Sequence, residues 1–245
     1  MTSAMPVRIA MWSGPRNIST AMMRSFESRA DCYVTDEPFY GAYLKQSGEP
    51  QPMADQIIAS MNCDWNTVAS AMRAPIPDDK AIWYQKHMPH HMIDSVSISD
   101  FPDHRHAFLI RAPERVVASY AAKRVTVTPD DLGYARQLKY VDQAAQITGK
   151  APIVIDSANI LDNPEYQLRK LCSALEIPWD SAMLHWNGGR RETDGIWGHH
   201  WYNRVIETTG FGKNDHKQTD LTALELGVVD ACQFYYDKLL EYTDK

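Results

Sequence analysis

Shortages narrow the possibilities first. Only four cysteines occur, Cys32, Cys63, Cys172 and Cys232, widely scattered and with no Cys-x-x-Cys pair. Disulfide frameworks and zinc ribbons need closer or paired cysteines, so buried thiols in a reducing cytoplasm are expected instead. No stretch approaches the roughly 20 apolar residues of a membrane span. The N-terminal "MTSAMPVRIAMW" also lacks a basic segment followed by a long apolar one, so neither a membrane partner nor a secretory leader is expected. Positive charge is in deficit: 25 Lys and Arg against 31 Asp and Glu, a net charge of −6. A general nucleic-acid binder neutralises phosphates with a basic surface, and this balance excludes one. Any anion must therefore be met locally, by a few well-placed arginines.

What is present is an ordinary globular composition, 44% hydrophobic and 23% charged, enough for a sizeable core. A length of 245 residues suits one domain spanning 1–245. Apolar runs predict strands at Val7–Trp12, Cys32–Thr35, Ala81–Gln85, His106–Ile110 and Pro152–Ile155. Between them lie helical patterns at Ser19–Arg29, Pro113–Arg124, Asp130–Thr148 and Pro164–Leu175, and helical content from Met53 to Met72. A last helix covers about Leu221–Tyr242, with Leu221, Leu224, Val228, Cys232, Tyr235 and Leu239 as its apolar stripe. Strands alternating with helices predict an α/β fold of three layers, α/β/α, around a central parallel sheet. Ligands of such sheets sit beyond the carboxyl ends of the strands. The irregular, aromatic stretch "GGRRETDGIWGHHWYNRV" (188–205) is expected to fold over such a site.

The first strand runs into "SGPRNIST" (13–20) and then a helix. Gly14 permits close backbone approach, and the N–H groups at the helix start face whatever anion sits there. Arg16 adds a permanent planar charge, and Ser19 and Thr20 add hydroxyls. The plain alternative is a tight turn with a serine N-cap. The Gly-Lys-Ser/Thr ending of an ATP-binding loop is missing. In "LIRAPERVVASY" (109–120), Arg111 ends a strand, Pro113 opens a helix, and Ser119 follows two turns in. Arg111 and Ser119 can converge on a second phosphate; taken alone, Arg111 reads first as a solvated strand end and Ser119 as a helix-packing residue.

Together these motifs resemble the sulfotransferase family, whose members take sulfuryl groups from 3′-phosphoadenosine 5′-phosphosulfate (PAPS). The resemblance implies a P-loop NTPase-like sulfotransferase fold. It also implies that Gly14, Pro15, Arg16, Asn17, Ile18, Ser19 and Thr20 hold the phosphosulfate. Arg111, Pro113 and Ser119 match the family's Arg-x-Pro-x-x-x-x-x-Ser motif for the 3′-phosphate, to which Arg190 and Arg191 are expected to add. "GIWGHHWYNRVIETTGFG" (195–212) is similar to the loop that closes over the nucleotide, placing Trp197 there. Lys86-His87-Met88-Pro89 is similar to the stretch in which many cytosolic members carry their base. The loop departs from the usual Ser-Gly-Thr-Thr, having Asn17 and Ile18 in the middle. "TDEPFY" (35–40) places Glu37 where bacterial and Golgi-type members carry an acidic base.

The expected function is thus sulfuryl transfer from PAPS, a co-substrate, to a hydroxyl or amine of a small-molecule acceptor, with no metal. His87 is favoured as base and Glu37 is the fallback; Arg16 stabilises the departing phosphate and Lys86 the equatorial oxygens. The alternatives are a P-loop kinase or NTP hydrolase, with Asp36 at a strand end, and a non-catalytic phosphoadenosine-nucleotide-binding protein. His87, His90, His91 and the pair His199-His200 suggest a metal by spacing, but Pro89 interrupts the first cluster and no nearby Asp, Glu or Cys has ligand spacing. Segment 41–80, with Met53, Met61, Trp65 and Met72, is expected to line or cover the acceptor site. Oligomeric state is left open.

Overall fold

In the computed structural model, residues 6–124, 126–214 and 220–243 are described. The first five residues, on which the expectation of no leader partly rests, lie outside them. The strands are β1 (Val7–Ser13), β2 (Cys32–Asp36), β3 (Ile82–His87), β4 (Arg105–Ile110) and β5 (Ile153–Asp156). They form one parallel sheet in the order β2-β3-β1-β4-β5. Helices α1 (Ser19–Glu27), α2 (Tyr40–Ser47), α3 (Ala54–Ser60), α4 (Trp65–Arg73) and α5 (Pro113–Ala121) come first. Then follow α6 (Pro129–Leu132), α7 (Tyr134–Thr148), α8 (Ser157–Asp162), α9 (Pro164–Ala174), α10 (Gly198–Trp201) and α11 (Ala223–Leu240).

The pleat sorts each strand's side chains between two cores, because successive residues point to opposite faces. Ile9, Met11, Ile82, Tyr84, Ala107 and Leu109 pack under α1 and α9, against Met22, Phe26, Leu168 and Leu171. Ala10, Trp12, Trp83, Phe108 and Ile110 form the opposite core, against Phe39 of the β2–α2 turn and Trp65, Val117 and Val141 of α4, α5 and α7. Both faces are covered, which is why the strands read as apolar runs rather than as an alternating pattern. Each fully buried large side chain here contributes about 1.5–3 kcal/mol.

Two predicted helices change. The one expected over Asp130–Thr148 is broken at Gly133, which sits at φ 72° between α6 and α7. A Thr128–Asp131 capping box starts the short piece, and glycine tolerates the left-handed link. The last helix begins on a Thr222–Glu225 capping box. Val228, Cys232 and Leu239 are buried as expected, whereas Leu224, in the first turn, is 76% exposed before the apolar line reaches the core.

Sheet order puts β1 at the centre, with β3 on one side and β4 on the other. The chain switches sides across it, and a crevice opens beyond the strand ends at such a point.

Candidate active site

A cleft of about 700 Å³ lies at those ends, lined by residues that directly follow β1 (Pro15, Arg16), β2 (Glu37) and β4 (Arg111), and by Lys86 near the end of β3. A second cavity, about 410 Å³ along the outer edge of β5, holds none of the sequence-predicted residues.

The loop after β1 owes its shape to its neighbours. A Cβ on Gly14 would meet the Leu132 carbonyl oxygen at 2.4 Å, so only glycine lets α6 approach. Asn17 is buried and donates from Nδ2 to the Leu109 carbonyl at 3.3 Å, tying the loop to β4. Arg16 and Ile18 both adopt left-handed backbone, φ 61° and 57°. Ile18 caps α1 with no side-chain hydrogen bond, so the serine N-cap alternative is not realised and the first-turn N–H groups have no side-chain cap. Pro15, Arg16, Ile18, Ser19 and Thr20 line the cleft. Gly14 and Asn17 do not; they hold the loop from behind.

Cations gather on one side. Arg16 Nε donates to Ser119 Oγ at 2.9 Å, and Arg111 Nη1 donates to the Arg16 carbonyl at 2.9 Å. The sequence-predicted Arg111 and Ser119 therefore do meet the loop. Arg115, Lys123, Arg204 and Lys213 line the same cleft. Among the described lining residues Glu37 is the one carboxylate. Burial, then Arg111 and Arg204, lower the pKa of Arg16; burial, then Arg115, lower that of Arg111. Like charges pressed together in a cleft are unfavourable unless an anion joins them, so the donor set fits a polyanion.

Arg190 and Arg191 are not at this site. Arg191 donates to the Asn187 carbonyl at 2.8 Å and lies 3.7 Å from Glu27, while Arg24 grips Asp194 at 2.7 Å. These contacts pin Arg191 and Asp194 against α1, and neither Arg190 nor Arg191 lines the cleft. Arg204 and Lys213, in the same aromatic region, line the cleft instead. Trp197, Trp201 and Tyr202 all line it, as expected of a loop folded over a site. Trp197 is buried edge-on to Tyr40, 5.2 Å away, and Trp201 stacks on Tyr120 at 6.0 Å.

Beside these cations lies a buried ionic cluster. Asp36 of β2 stands in register with Lys86 of β3. Lys86 Nζ donates to Asp36 Oδ1 at 2.9 Å, Glu37 Oε1 at 2.7 Å, the Tyr202 hydroxyl at 2.7 Å and Thr20 Oγ1 at 3.3 Å. Tyr202 donates to Asp36 Oδ2 at 2.6 Å, and the Gly195 N–H adds 3.2 Å to the same oxygen. Burial opposes the ammonium, but Asp36 and Glu37 outweigh it and hold Lys86 well above its usual pKa. Burial raises Glu37 to about 6, with Asp36 adding to it and Lys86 opposing. Glu37 also sits at φ 42°, a strained backbone of the kind found at functional positions.

His87 faces the other way. Lys86 shares its face of β3 with Tyr84, so its neighbour must point into the opposite core. There His87 is 1% exposed, stacked on Trp12 at 4.7 Å, and shares a 3.2 Å hydrogen bond with Gln85 Oε1. Burial, then His104 and His106, push its pKa well below normal. It does not line the cleft. The expectation of His87 as base is therefore corrected: it is buried away from the cleft, whereas Glu37 lines it.

The acceptor-side expectation also needs correction. Trp65 and Met72 are buried in the core, with Met53 and Met61 packed against it, and none lines the cleft. From segment 41–80 the cleft takes Gln51 instead, with Tyr40 just before it. Gln51 belonged to no motif, and Tyr40 only closed the "TDEPFY" stretch read for Glu37. Tyr202 lies in the stretch expected to fold over the site, but no motif singled it out. Among the described residues, no group of three or more His, Cys, Asp or Glu is arranged to hold a metal ion. No described helix is long and apolar enough to cross a membrane.

The comparisons agree with this geometry. Residues 7–238 match the sulfotransferase domain. A sulfotransferase from Alicyclobacillus acidocaldarius has a similar fold, with a TM-score of 0.56 over 99% of this chain and 97% of that one, at 11% identity. The chain is 30% identical over 231 residues to the Arabidopsis thaliana "Branched-chain-amino-acid aminotransferase-like protein 2", covering 94% of this chain but only 41% of that protein. It is also 30% identical over 94 residues to protein-tyrosine sulfotransferase A of Caenorhabditis elegans, covering 35% of this chain and 25% of that one. The chain thus spans less than half the length of these curated relatives. With a loop after β1 whose Arg16 joins both the strand-end Arg111 and the helical Ser119, and a family match across nearly all its length, this chain belongs to the sulfotransferase domain family.

Proposed function

We propose that the chain, acting as one catalytic unit over 1–245, transfers a sulfuryl group from PAPS to a hydroxyl or amine of a small-molecule acceptor. One observation carries this reading: a cluster of arginines and lysines around the β1 loop adjoins a single carboxylate, Glu37, whose pKa lies near 6. The residues would divide the donor between them. Pro15–Thr20 and the α1 N-terminus suit the phosphosulfate, and Arg111 and Ser119 the 3′-phosphate, with Arg204 beside them in place of Arg190 and Arg191. Trp197 closes the cleft over the donor.

PAPS supplies the sulfuryl group: a bond forms from the acceptor atom to sulfur while the bond from sulfur to the bridging phosphate oxygen breaks, releasing adenosine 3′,5′-bisphosphate. Glu37 takes the acceptor proton; a carboxylate with a pKa near 6 is ionised at neutral pH yet basic enough to hold it. Asp36 and Tyr202 keep Lys86 in place while Glu37 changes charge. As Glu37 is protonated its grip on Lys86 Nζ weakens, and that donor becomes free for the oxygens on sulfur. Arg16 stabilises the charge left on the departing phosphate.

The kinase alternative needs a strand-end aspartate free for magnesium. Both oxygens of Asp36 are already engaged, by Lys86 and by Tyr202 with Gly195. The test incubates the protein with labelled PAPS and a mixed acceptor library, followed by mass spectrometry, alongside thermal melts. Labelled product and stabilisation by adenosine 3′,5′-bisphosphate support the proposal. Bisphosphate binding without product favours a non-catalytic nucleotide binder, and equal or stronger stabilisation by Mg-ATP favours a kinase.

A further inference from the structure

Tyr202 is the point where the covering segment 195–202 meets the buried ionic cluster. Its hydroxyl donates to Asp36 Oδ2 at 2.6 Å and accepts from Lys86 Nζ at 2.7 Å and Trp197 Nε1 at 3.1 Å. A hydroxyl has one proton to give and two lone pairs to offer, so all three are used. The Gly195 N–H reaches the same Asp36 oxygen at 3.2 Å. A side chain on Gly195 would run into the Trp197 ring, so glycine lets the backbone lie against that ring and approach the carboxylate. Asp36 itself does not line the cleft, and its side chain is 1% exposed.

Cations of the anion site hold the other end of the same segment. Lys123 Nζ donates to the His200 carbonyl at 2.7 Å and lies 5.7 Å over the Trp201 ring. Arg16 Nη1 reaches the Trp201 carbonyl at 3.5 Å. Between the two grips the chain makes a single helical turn, closed by the Tyr202 N–H on the Gly198 carbonyl at 3.0 Å, so a shift at His200 carries Tyr202 with it. Losing one bond of a buried polar network leaves its other members underpaired, and such a network therefore forms or opens largely as a unit.

We propose that Asp36 is a positioning residue that fastens the covering segment to the Lys86–Glu37 pair, so that donor binding and placement of the proton acceptor are coupled. The proposal rests on the sulfotransferase reading and adds a linkage within it. A phosphate among the cations draws on the N–H groups of Arg16 and Lys123 that also serve the covering segment. Its pull passes through Tyr202 to Asp36 and Lys86, and Lys86 Nζ is the donor that meets Glu37 Oε1 at 2.7 Å. Coupling of binding equilibria is reciprocal, so a change at Asp36 must alter affinity for a nucleotide whose cleft Asp36 does not line.

A double-mutant cycle tests this, with adenosine 3′,5′-bisphosphate affinity read by calorimetry. Asp36→Asn should weaken the bisphosphate at least about fivefold. Glu37→Gln, which leaves the bond between Asp36 and Tyr202 in place, should stay within about twofold of the unaltered protein. Lys123→Met should weaken it too, and the double variant's loss should fall at least about threefold short of the product of the two single losses. A residue that merely supports the fold would lower Tm and give losses that multiply. Where Asp36→Asn shows no cooperative melt, Tyr202→Phe, which keeps every charge, takes its place in the cycle with the same expectations. Failure of the unaltered protein to bind the bisphosphate refutes the sulfotransferase reading, and the linkage with it. Binding that survives Asp36→Asn or its substitute with less than about a fivefold loss, or losses that multiply to within about threefold, overturns the linkage and leaves that reading standing.

Discussion

Glu37→Gln separates charge from shape in the cleft. Glutamine keeps the volume, and its side-chain carbonyl can still accept from Lys86 Nζ where Glu37 Oε1 does, at 2.7 Å. Asp36, 2.9 Å from the same ammonium, keeps Lys86 paired. The buried cluster loses one of two carboxylates that destabilise each other, so stability should change by no more than about 1 kcal/mol. What disappears is the proton acceptor. Losing a general base costs about 10²–10⁴ in rate, or about 3–5.5 kcal/mol of barrier. The assay follows bisphosphate release with the best library acceptor, beside melting curves with bisphosphate. Turnover should fall by that factor while the bisphosphate-induced rise in Tm stays the same. The pH profile gives a second readout. Burial and Asp36 raise Glu37 to about 6, so it is protonated below that pH, and wild-type kcat/KM should fall about tenfold per pH unit there. The variant should show no such limb. His87→Ala is the companion: it opens a cavity in the core and lowers Tm, yet should keep turnover within about tenfold. Retained turnover in Glu37→Gln, together with its loss in a folded His87→Ala, would refute this reasoning.

Arg111→Ala should weaken adenosine 3′,5′-bisphosphate by about 1.5–3 kcal/mol, ten- to hundredfold, and spare adenosine 5′-phosphosulfate, which lacks the 3′-phosphate. Equal losses by calorimetry would make Arg111 structural, through its bond to the Arg16 carbonyl. Gly14→Ala drives a Cβ to within 2.4 Å of a backbone oxygen and should displace the loop, abolishing the bisphosphate melting shift; an unaltered shift would show that α6 yields. Tyr202→Phe removes hydrogen bonds to Lys86 and Asp36 and should lower kcat more than it raises KM; a pure KM effect would make Tyr202 only a wall of the cleft. Acid should unfold the protein early. His87, His90, His91, His104 and His106 are neutral mainly through burial, with His90 and His106 near 4 and His104 near 3. Depressed values of this kind contribute stability that is complete above about 6.5 and lost as pH falls towards the folded values, up to about 1.4 kcal/mol per pH unit for each ring. Tm should therefore drop steeply between pH 6.5 and 5, and a constant Tm would mean the rings are solvated or already charged.

Local patterns carried much of the fold. Each predicted strand is present within a residue or two, because an apolar run between turn signals is a property of neighbours in the chain. The β1 loop and the Arg111–Ser119 pair were legible for the same reason: strand, turn and first helical turns are adjacent in sequence. Gly133 splits the helix expected over Asp130–Thr148, because a lone glycine in a helical pattern is compatible with either a costly helix or a left-handed link and only the packing decides. The arginines of the covering loop were chosen by proximity to its tryptophans. Arg24 and Glu27, far away in sequence, turned that choice around.

The sequence alone determined that a loop with Gly14, Arg16, Ser19 and Thr20 follows the first strand, and that Arg111 ends another strand with Ser119 two turns into the next helix. With the third strand set at Ala81–Gln85, it assigned no facing to Lys86 and His87. Only the tertiary structure decided which of those two meets the cleft. Pleating guarantees that neighbours on a strand face opposite ways, but the face that carries the site depends on which side α1 packs and on register across strands. Placing Asp36 opposite Lys86, with Glu37 one residue beyond, made the lysine side the charged cleft and left His87 to the aromatic core.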